Sequence, residues 1–375
     1  MRKMLPKDII RVGAANYPNN TAFVCYNKRV TYSEVNRRCN MLANGLLKLG
    51  VKKGSRVAVI LPNSIEFIEV RFATYKIGAV MVPLNTRMFD TEGFIYAVKH
   101  SGAKVVIMSD SIMPSFNKFR RFLSGVRFIV VTNKRSRHYL CYEEFLSNNR
   151  DTEPTAELCE DDVAAICYSS GTTGKPKGIV STNKNWIHSC YNLFMNTDTA
   201  ITENDVMMHI TPLTHATSIF VLPFFLKGAT QVIIEDYNPK QILKTIRKER
   251  VTVIFLIPAM LLGLLRETYR PWFLFTNLLF MGKYLSSLKT IIYGSAPMYV
   301  AHLKRCIKRF GQRLEQGYGM AEALPPLAHL TKAEHVLNGN ELQERRLFST
   351  GKVANGVEIR IVDNNRRVLK PNTVG

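Results

Sequence analysis

The stretch Tyr168–Gly178, YSSGTTGKPKG, concentrates residue types that bind phosphate. Gly171, Gly174 and Gly178 let the backbone approach a ligand closely and turn successive N–H groups toward phosphate oxygens. Ser169, Ser170, Thr172 and Thr173 add hydroxyl donors, and Lys175 and Lys177 add positive charge. A triphosphate is the ligand such a loop suits. The stretch is not a G-x-x-x-x-G-K-[ST] loop, because Gly171 and Gly174 stand too close together and Pro176 follows Lys175. A plain surface turn would explain the glycines and the proline, but not four hydroxyls and two lysines beside them.

A phosphate loop needs rigid flanks. Residues 163–167 before it read as a strand, and Ile179-Val180 follows as a further apolar pair. Short β-branched runs recur at 56–61, 104–108, 127–131, 231–234, 251–256 and 290–293, most of them preceded by amphipathic segments. This alternation predicts an α/β fold of layered, largely parallel sheets flanked by helices. Thr31 and Glu34 have the spacing of a capping box, opening a helix whose apolar positions continue through Val35, Leu42 and Leu46. Period-two alternation at Val357, Ile359 and Ile361, with a polar turn at 363–365, predicts a small β-subdomain at the C-terminal end. The chain accordingly divides into a large α/β region, residues 1–345, and the start of a β-subdomain, residues 346–375.

Composition bounds the partners. Hydrophobic residues make up 46% and charged residues 21%, which fits a globular protein with a core. The excess of 51 Lys+Arg over 29 Asp+Glu gives +22, which suits nucleic acid, an anionic membrane surface or polyanionic small ligands. The basic clusters, such as Lys118, Arg120 and Arg121, lack the interleaved aromatics of single-strand binders, and no nucleic acid is expected. Seven dispersed cysteines without a C-x-x-C pair fit a reducing, cytoplasmic setting. The first residues lack the uninterrupted apolar run of a signal peptide, and neither 207–226 nor 251–265 suits a bilayer span.

Taken with Tyr293–Pro297 (YGSAP) and Gly317–Glu322 (GYGMAE) in the same order, YSSGTTGKPKG resembles the signature of the adenylate-forming superfamily of acyl-CoA synthetases, adenylation domains and luciferases. The resemblance extends over essentially the whole chain, including residues 78–85 (GAVMVPLN). It implies the N-terminal domain of an AMP-forming acyl-CoA ligase, using ATP and Mg²⁺ with CoA as co-substrate. By the same resemblance, Gly294, Ser295 and Ala296 line the adenine and acyl pocket, and Tyr318 stacks on adenine. Gly317, Gly319, Met320 and Ala321 complete the nucleotide site, and Glu322 holds the metal. Ala321 departs from the family, which places a threonine there to reach the α-phosphate.

The resemblance also implies catalytic roles for Lys177, Glu322 and His215, the last near the acyl carboxylate and the thiol entrance. A packed core histidine is the other reading of His215. Amino-acid-activating relatives carry an aspartate after the His215 motif. Residues 216–227 contain no acid, so a plain carboxylic acid, a fatty acid first, is the expected substrate. The apolar stretch 271–282 reads as a buried helix, an acyl-tunnel border or a peripheral membrane contact. Complete family members continue into a second domain with a catalytic lysine. The 375-residue chain is therefore expected to bind nucleotide and acid but to be poor at adenylation and worse at thioester formation. A non-catalytic nucleotide- or acyl-binding relative is the alternative.

Overall fold

Each β-branched run forms a strand, and the helical segments between the runs supply the crossovers that parallel pairing requires. The computed structural model describes residues 3–87, 89–132, 134, 136–169, 176–279, 283–337 and 339–375. Among these residues the strands form two sheets. The first has nine strands, in the order 352–353, 323–330, 314–320, 290–294, 253–256, 206–209, 230–233, 21–25 and 28–31. The second has seven, in the order 140–141, 127–131, 105–109, 56–60, 80–83, 163–169 and 177–182. Pairing is parallel except at the ends, where 21–25 with 28–31, 314–320 with 323–330, 323–330 with 352–353, and 163–169 with 177–182 run antiparallel.

One apolar core joins the two sheets, with Phe23, Met207 and Val253 from the first meeting Val57, Ile107 and Ile129 from the second around the helices Tyr32–Lys48 and Ile65–Ile77. Helix 32–48 begins with the predicted capping box: Thr31 accepts from the Glu34 N–H, and the Glu34 carboxylate accepts from the Thr31 N–H. Helix 65–77 has no solvent face, because all of its residues except Glu66 are buried. Its charged side chains must therefore find partners inside the protein. Glu69 accepts from Arg38 at 2.5 Å and from the Tyr142 hydroxyl at 2.7 Å, while the Lys76 ammonium meets Glu153 at 2.6 Å.

Beyond Ala354 the alternation at Val357, Ile359 and Ile361 forms no strand. The stretch 352–353 becomes an edge of the nine-stranded sheet, and only a bridge from Val362 to Val368 follows. Ile359 and Ile361 are exposed, so their periodicity has no second layer to pack against. The stretch from 271 forms the helix Pro271–Leu279, with Phe273 buried but Leu274 and Phe275 exposed at 47% and 64%.

His209, fully buried at the end of its strand, shows how a polar core network sets a pH limit. The Gln231 amide donates to the Val221 carbonyl, which turns its Oε1 toward His209 Nε2 at 2.8 Å. Nε2 therefore carries the proton, and Nδ1 accepts from the Thr217 hydroxyl at 2.9 Å. Burial pushes the imidazole from its ordinary 6.5 down to about 4, against the partial support of Gln231. A folded-state value below the unfolded one means that stability is complete above pH 6.5, declines as pH falls toward 4 and loses nothing more from this group below that. The gap corresponds to about 3 kcal/mol. Unfolding titrations at pH 7 and pH 4 should show a decline about 3 kcal/mol smaller in His209→Gln than in the native chain; equal declines would contradict this.

Candidate active site

A cavity of about 530 Å³ lies at the C-terminal ends of the strands Val253–Leu256, Thr290–Gly294 and Leu314–Met320. This is where open α/β sheets hold ligands. Its floor is one cross-strand row, since Phe255 pairs with Ile292 and Ile292 with Glu315, and all three line the space. Along strand 314–320 side chains alternate between faces. Glu315, Gly317 and Gly319 line the cavity, while Leu314 is buried in the core beneath the opposite face.

The two glycines differ in what they permit. A Cβ at Gly317 would meet nothing and would extend into open space, whereas one at Gly319 would collide with Pro325. Gly294 serves a third purpose: a methyl there would strike the carbonyl of Gly317 on the paired strand, so the residue allows close backbone approach. The next residue, Ser295, lies on the cavity wall at φ 65°, a left-handed conformation that costs a non-glycine residue of order 1 kcal/mol. Ala296 beside it is exposed.

The phosphate-loop flanks form a hairpin, with Ser169 opposite Lys177 and Tyr168 opposite Gly178. Ser169, at the end of its strand, lines the same cavity as Gly317. Ser170, Gly171, Thr172, Thr173, Gly174 and Lys175 lie outside the described residues. Lys177 is exposed on the paired strand, and Gly178 leaves room for Ile166, whose methyl would otherwise sit 2.9 Å from a Cβ.

His215 also lines the cavity, at the start of the short 3-10 helix Ala216–Phe220. Asn85 accepts from the Arg87 N–H through Oδ1, which leaves its Nδ2 to donate to His215 Nε2 at 3.0 Å. Nε2 is thereby an acceptor, and the proton belongs on Nδ1. The ring opens on the cavity, yet the protein packed around it lowers its pKa from the ordinary value, with a backbone hydrogen bond to Thr214 opposing. A neutral imidazole at pH 7 follows.

Three residues that sequence reasoning missed hold this segment in place. Asn63 donates to the Thr211 and Ile234 carbonyls and accepts from the Leu213 N–H at 2.7 Å. Arg71 donates to the Leu213 carbonyl at 3.0 Å and lies over the rings of Phe67 and Trp186. Asn85 is the third. Arg71 lies in helix 65–77, where burial of every residue but Glu66 means a cation needs specific partners, and those partners are distant in sequence.

Met320 and Ala321 reach the cavity wall, and two expected nucleotide residues do not. Tyr318 alternates to the opposite face of the strand, 38% exposed, and Glu322 stands exposed in the turn before strand Ala323–Leu330. Among the described residues no group of three or more metal-ligating side chains exists. A lone exposed carboxylate suits Mg²⁺, which commonly takes one or two carboxylates and completes its shell with water and substrate phosphates.

The chain is 33% identical over 318 residues to a feruloyl-CoA synthase of Amycolatopsis sp, covering 84% of this chain and 59% of that protein. It is 30% identical over 310 residues to 4-coumarate–CoA ligase 3 of Arabidopsis thaliana, covering 80% and 52% respectively. The chain thus spans little more than half the length of these relatives. The fold matches the inhibitor-bound N-terminal domain of FACL13 from Mycobacterium tuberculosis with a TM-score of 0.85, at 25% identity over 98% of this chain and 86% of that one. It also matches an anthranilate CoA ligase, AuaEII, in complex with anthranoyl-AMP, with a TM-score of 0.86 at 22% identity over 98% and 68%. The description "AMP-binding enzyme" fits residues 10–375, and the chain belongs to that family of adenylate-forming ligases.

Proposed function

We propose that this chain carries the substrate sites of an AMP-forming ligase that joins a carboxylic acid to CoA. The substrate carboxylate attacks the α-phosphorus of ATP and pyrophosphate leaves; the CoA thiol, losing its proton, then attacks the acyl carbonyl and AMP leaves. Both steps depend on positioning and charge stabilisation rather than on a side-chain nucleophile. The observation that carries this reading is the convergence of Ser169, His215, Ser295, Gly317 and Ala321 on one cavity from widely separated parts of the chain.

In this reading Lys177, with the loop lysine Lys175, offsets charge on the phosphates. Gly294, Ser295 and Ala296 border the adenine and the acyl group, and Tyr318, on the strand face turned from the acyl cavity, stacks on a base lying outside that cavity. Glu322 would hold Mg²⁺, which supplies further charge neutralisation when bound. Ala321 offers no hydroxyl to the α-phosphate, a deficit of about 1–3 kcal/mol if that oxygen stays unpaired.

A fatty acid and an aromatic acid both suit walls built from Trp186, Phe220 and Phe255. The relatives named for ferulate and coumarate favour the aromatic class. Acid-dependent release of pyrophosphate from ATP, measured acid by acid, tests the reading, and an amino acid emerging as best substrate would overturn it.

All seven cysteines are free, which supports a reducing, cytoplasmic setting. Among the described residues no helix is long and apolar enough to cross a membrane. Exposed Leu274 and Phe275 lie on one short helix with Arg270 just before it and Lys240 over the Trp272 ring, which supports a peripheral contact with anionic lipid. Sedimentation with phosphatidylserine vesicles should carry the chain into the pellet, and Leu274→Ser/Phe275→Ser should release it. Equal recovery in pellet and supernatant for both proteins would dismiss the contact.

A further inference from the structure

A second cavity, of about 510 Å³, opens between helix Pro239–Lys248 and helix Pro271–Leu279 and shares no lining residue with the acyl cavity. Lys244, Arg247 and Lys248 form one wall, at the i, i+3 and i+4 spacing that puts side chains on one face of a helix. Trp272, Thr276 and Tyr284 form the other. Among the described residues no carboxylate lines the space. Glu249 meets Arg29 at 2.7 Å and stands 3.5 Å from Lys248, and Glu267 accepts from the Trp272 indole N–H at 2.5 Å. Like charges at this spacing repel, and an anion in the cavity relieves the repulsion. The negative end of the helix dipole favours Arg247 and Lys248 in the last turn, but it does not account for the aromatic wall facing them.

Helix 271–279 supplies a second, independent sign. Trp272 and Thr276, one turn apart, face the cavity, whereas Leu274 and Phe275 are exposed. Exposed apolar side chains beside cations suit the boundary between acyl chains and headgroups, where indole rings also concentrate. With Leu274 and Phe275 among acyl chains, the adjoining cavity lies at the depth of the lipid phosphates. The rings are already occupied by cations, Lys240 over Trp272 at 5.3 Å and Arg247 over Tyr284 at 5.6 Å, so they hold charge in place rather than stack a base. Three cations without an acid favour a phosphomonoester, which carries more than one negative charge at neutral pH and presents three acceptor oxygens. A serine headgroup would bring an ammonium against the same cations.

We infer that the cavity between helices 239–248 and 271–279 is a headgroup site for a phosphomonoester lipid, with Lys244, Arg247 and Lys248 holding the phosphate and Leu274 and Phe275 entering the acyl layer beside it. This inference rests on the peripheral membrane contact proposed above and names the lipid that the contact prefers.

The test is sedimentation of the 375-residue chain with phosphatidylcholine vesicles carrying either phosphatidic acid or phosphatidylserine, matched in zeta potential. Half-maximal recovery in the pellet should need about fivefold less lipid with phosphatidic acid. Lys244→Gln/Lys248→Gln should remove that preference. Arg305→Gln/Lys308→Gln, which takes the same charge from exposed positions of helix Val300–Phe310, should keep it. Equal binding of the native chain to both vesicles, a preference that survives Lys244→Gln/Lys248→Gln, or its loss in both double variants alike would overturn the inference while leaving the membrane contact standing. Loss of the preference in the presence of inorganic phosphate at cellular concentration would assign the cavity to a free anion and overturn it too. Failure to pellet with either vesicle would instead remove the contact itself, and the inference with it.

Discussion

Replacing Gly317 with leucine should weaken binding of an acyl-adenylate analogue by about a hundredfold or more while leaving the urea midpoint of unfolding almost unchanged. The separation of effects follows from geometry. A Cβ at 317 meets no atom within 4 Å, so the added side chain enters the open cavity rather than a packed core. Gly319→Ala, on the same face of the same strand, should do the reverse in part, because its methyl meets Pro325 and must displace it. Calorimetric titration together with urea unfolding of both variants checks the pair. Native-like affinity in Gly317→Leu would show that the space beside this strand holds no acyl group.

Arg38→Leu should destabilise the fold by about 3–5 kcal/mol, and Arg38→Leu/Glu69→Leu by much less. Glu69 is completely buried, and burial raises its pKa against the pull of Arg38 and Tyr142. Arg38 bonds Glu69 with two nitrogens and also meets Glu143 at 2.7 Å. Removing the guanidinium strands a carboxylate beside the Tyr142 hydroxyl alone, whereas removing both charges leaves an apolar gap that leucines can fill. Urea unfolding of the two single variants and the double variant measures the coupling. Additive losses would mean that the buried pair does not behave as a unit.

What the chain discloses before folding depends on how far apart the cooperating residues lie. The family signature at 168–178 was legible because its hydroxyls, glycines and lysines are consecutive. The capping box at Thr31 and Glu34 was legible because its partners are three residues apart. The strands were legible because β-branched runs need only their neighbours to declare themselves.

Asn63, Arg71 and Asn85 were not legible. Each joins the segment around His215 across about 130 to 150 residues of chain, and in sequence each is one polar residue among many. Glu315 was hidden for a related reason. It precedes a recognisable motif by two residues, and only the alternation of strand 314–320 turns it into the cavity beside Gly317. The periodicity at 357–361 misled because alternation marks a strand only where a partner strand and a second layer exist to receive it.

The most direct measurement is an equilibrium titration of the chain with AMP, followed by competition with a nonhydrolysable acyl-adenylate analogue. One saturable AMP site, displaced stoichiometrically by the analogue, is the predicted result. Absence of saturable AMP binding, or AMP binding that the analogue leaves untouched, would contradict the assignment of this cavity to an acyl-adenylate.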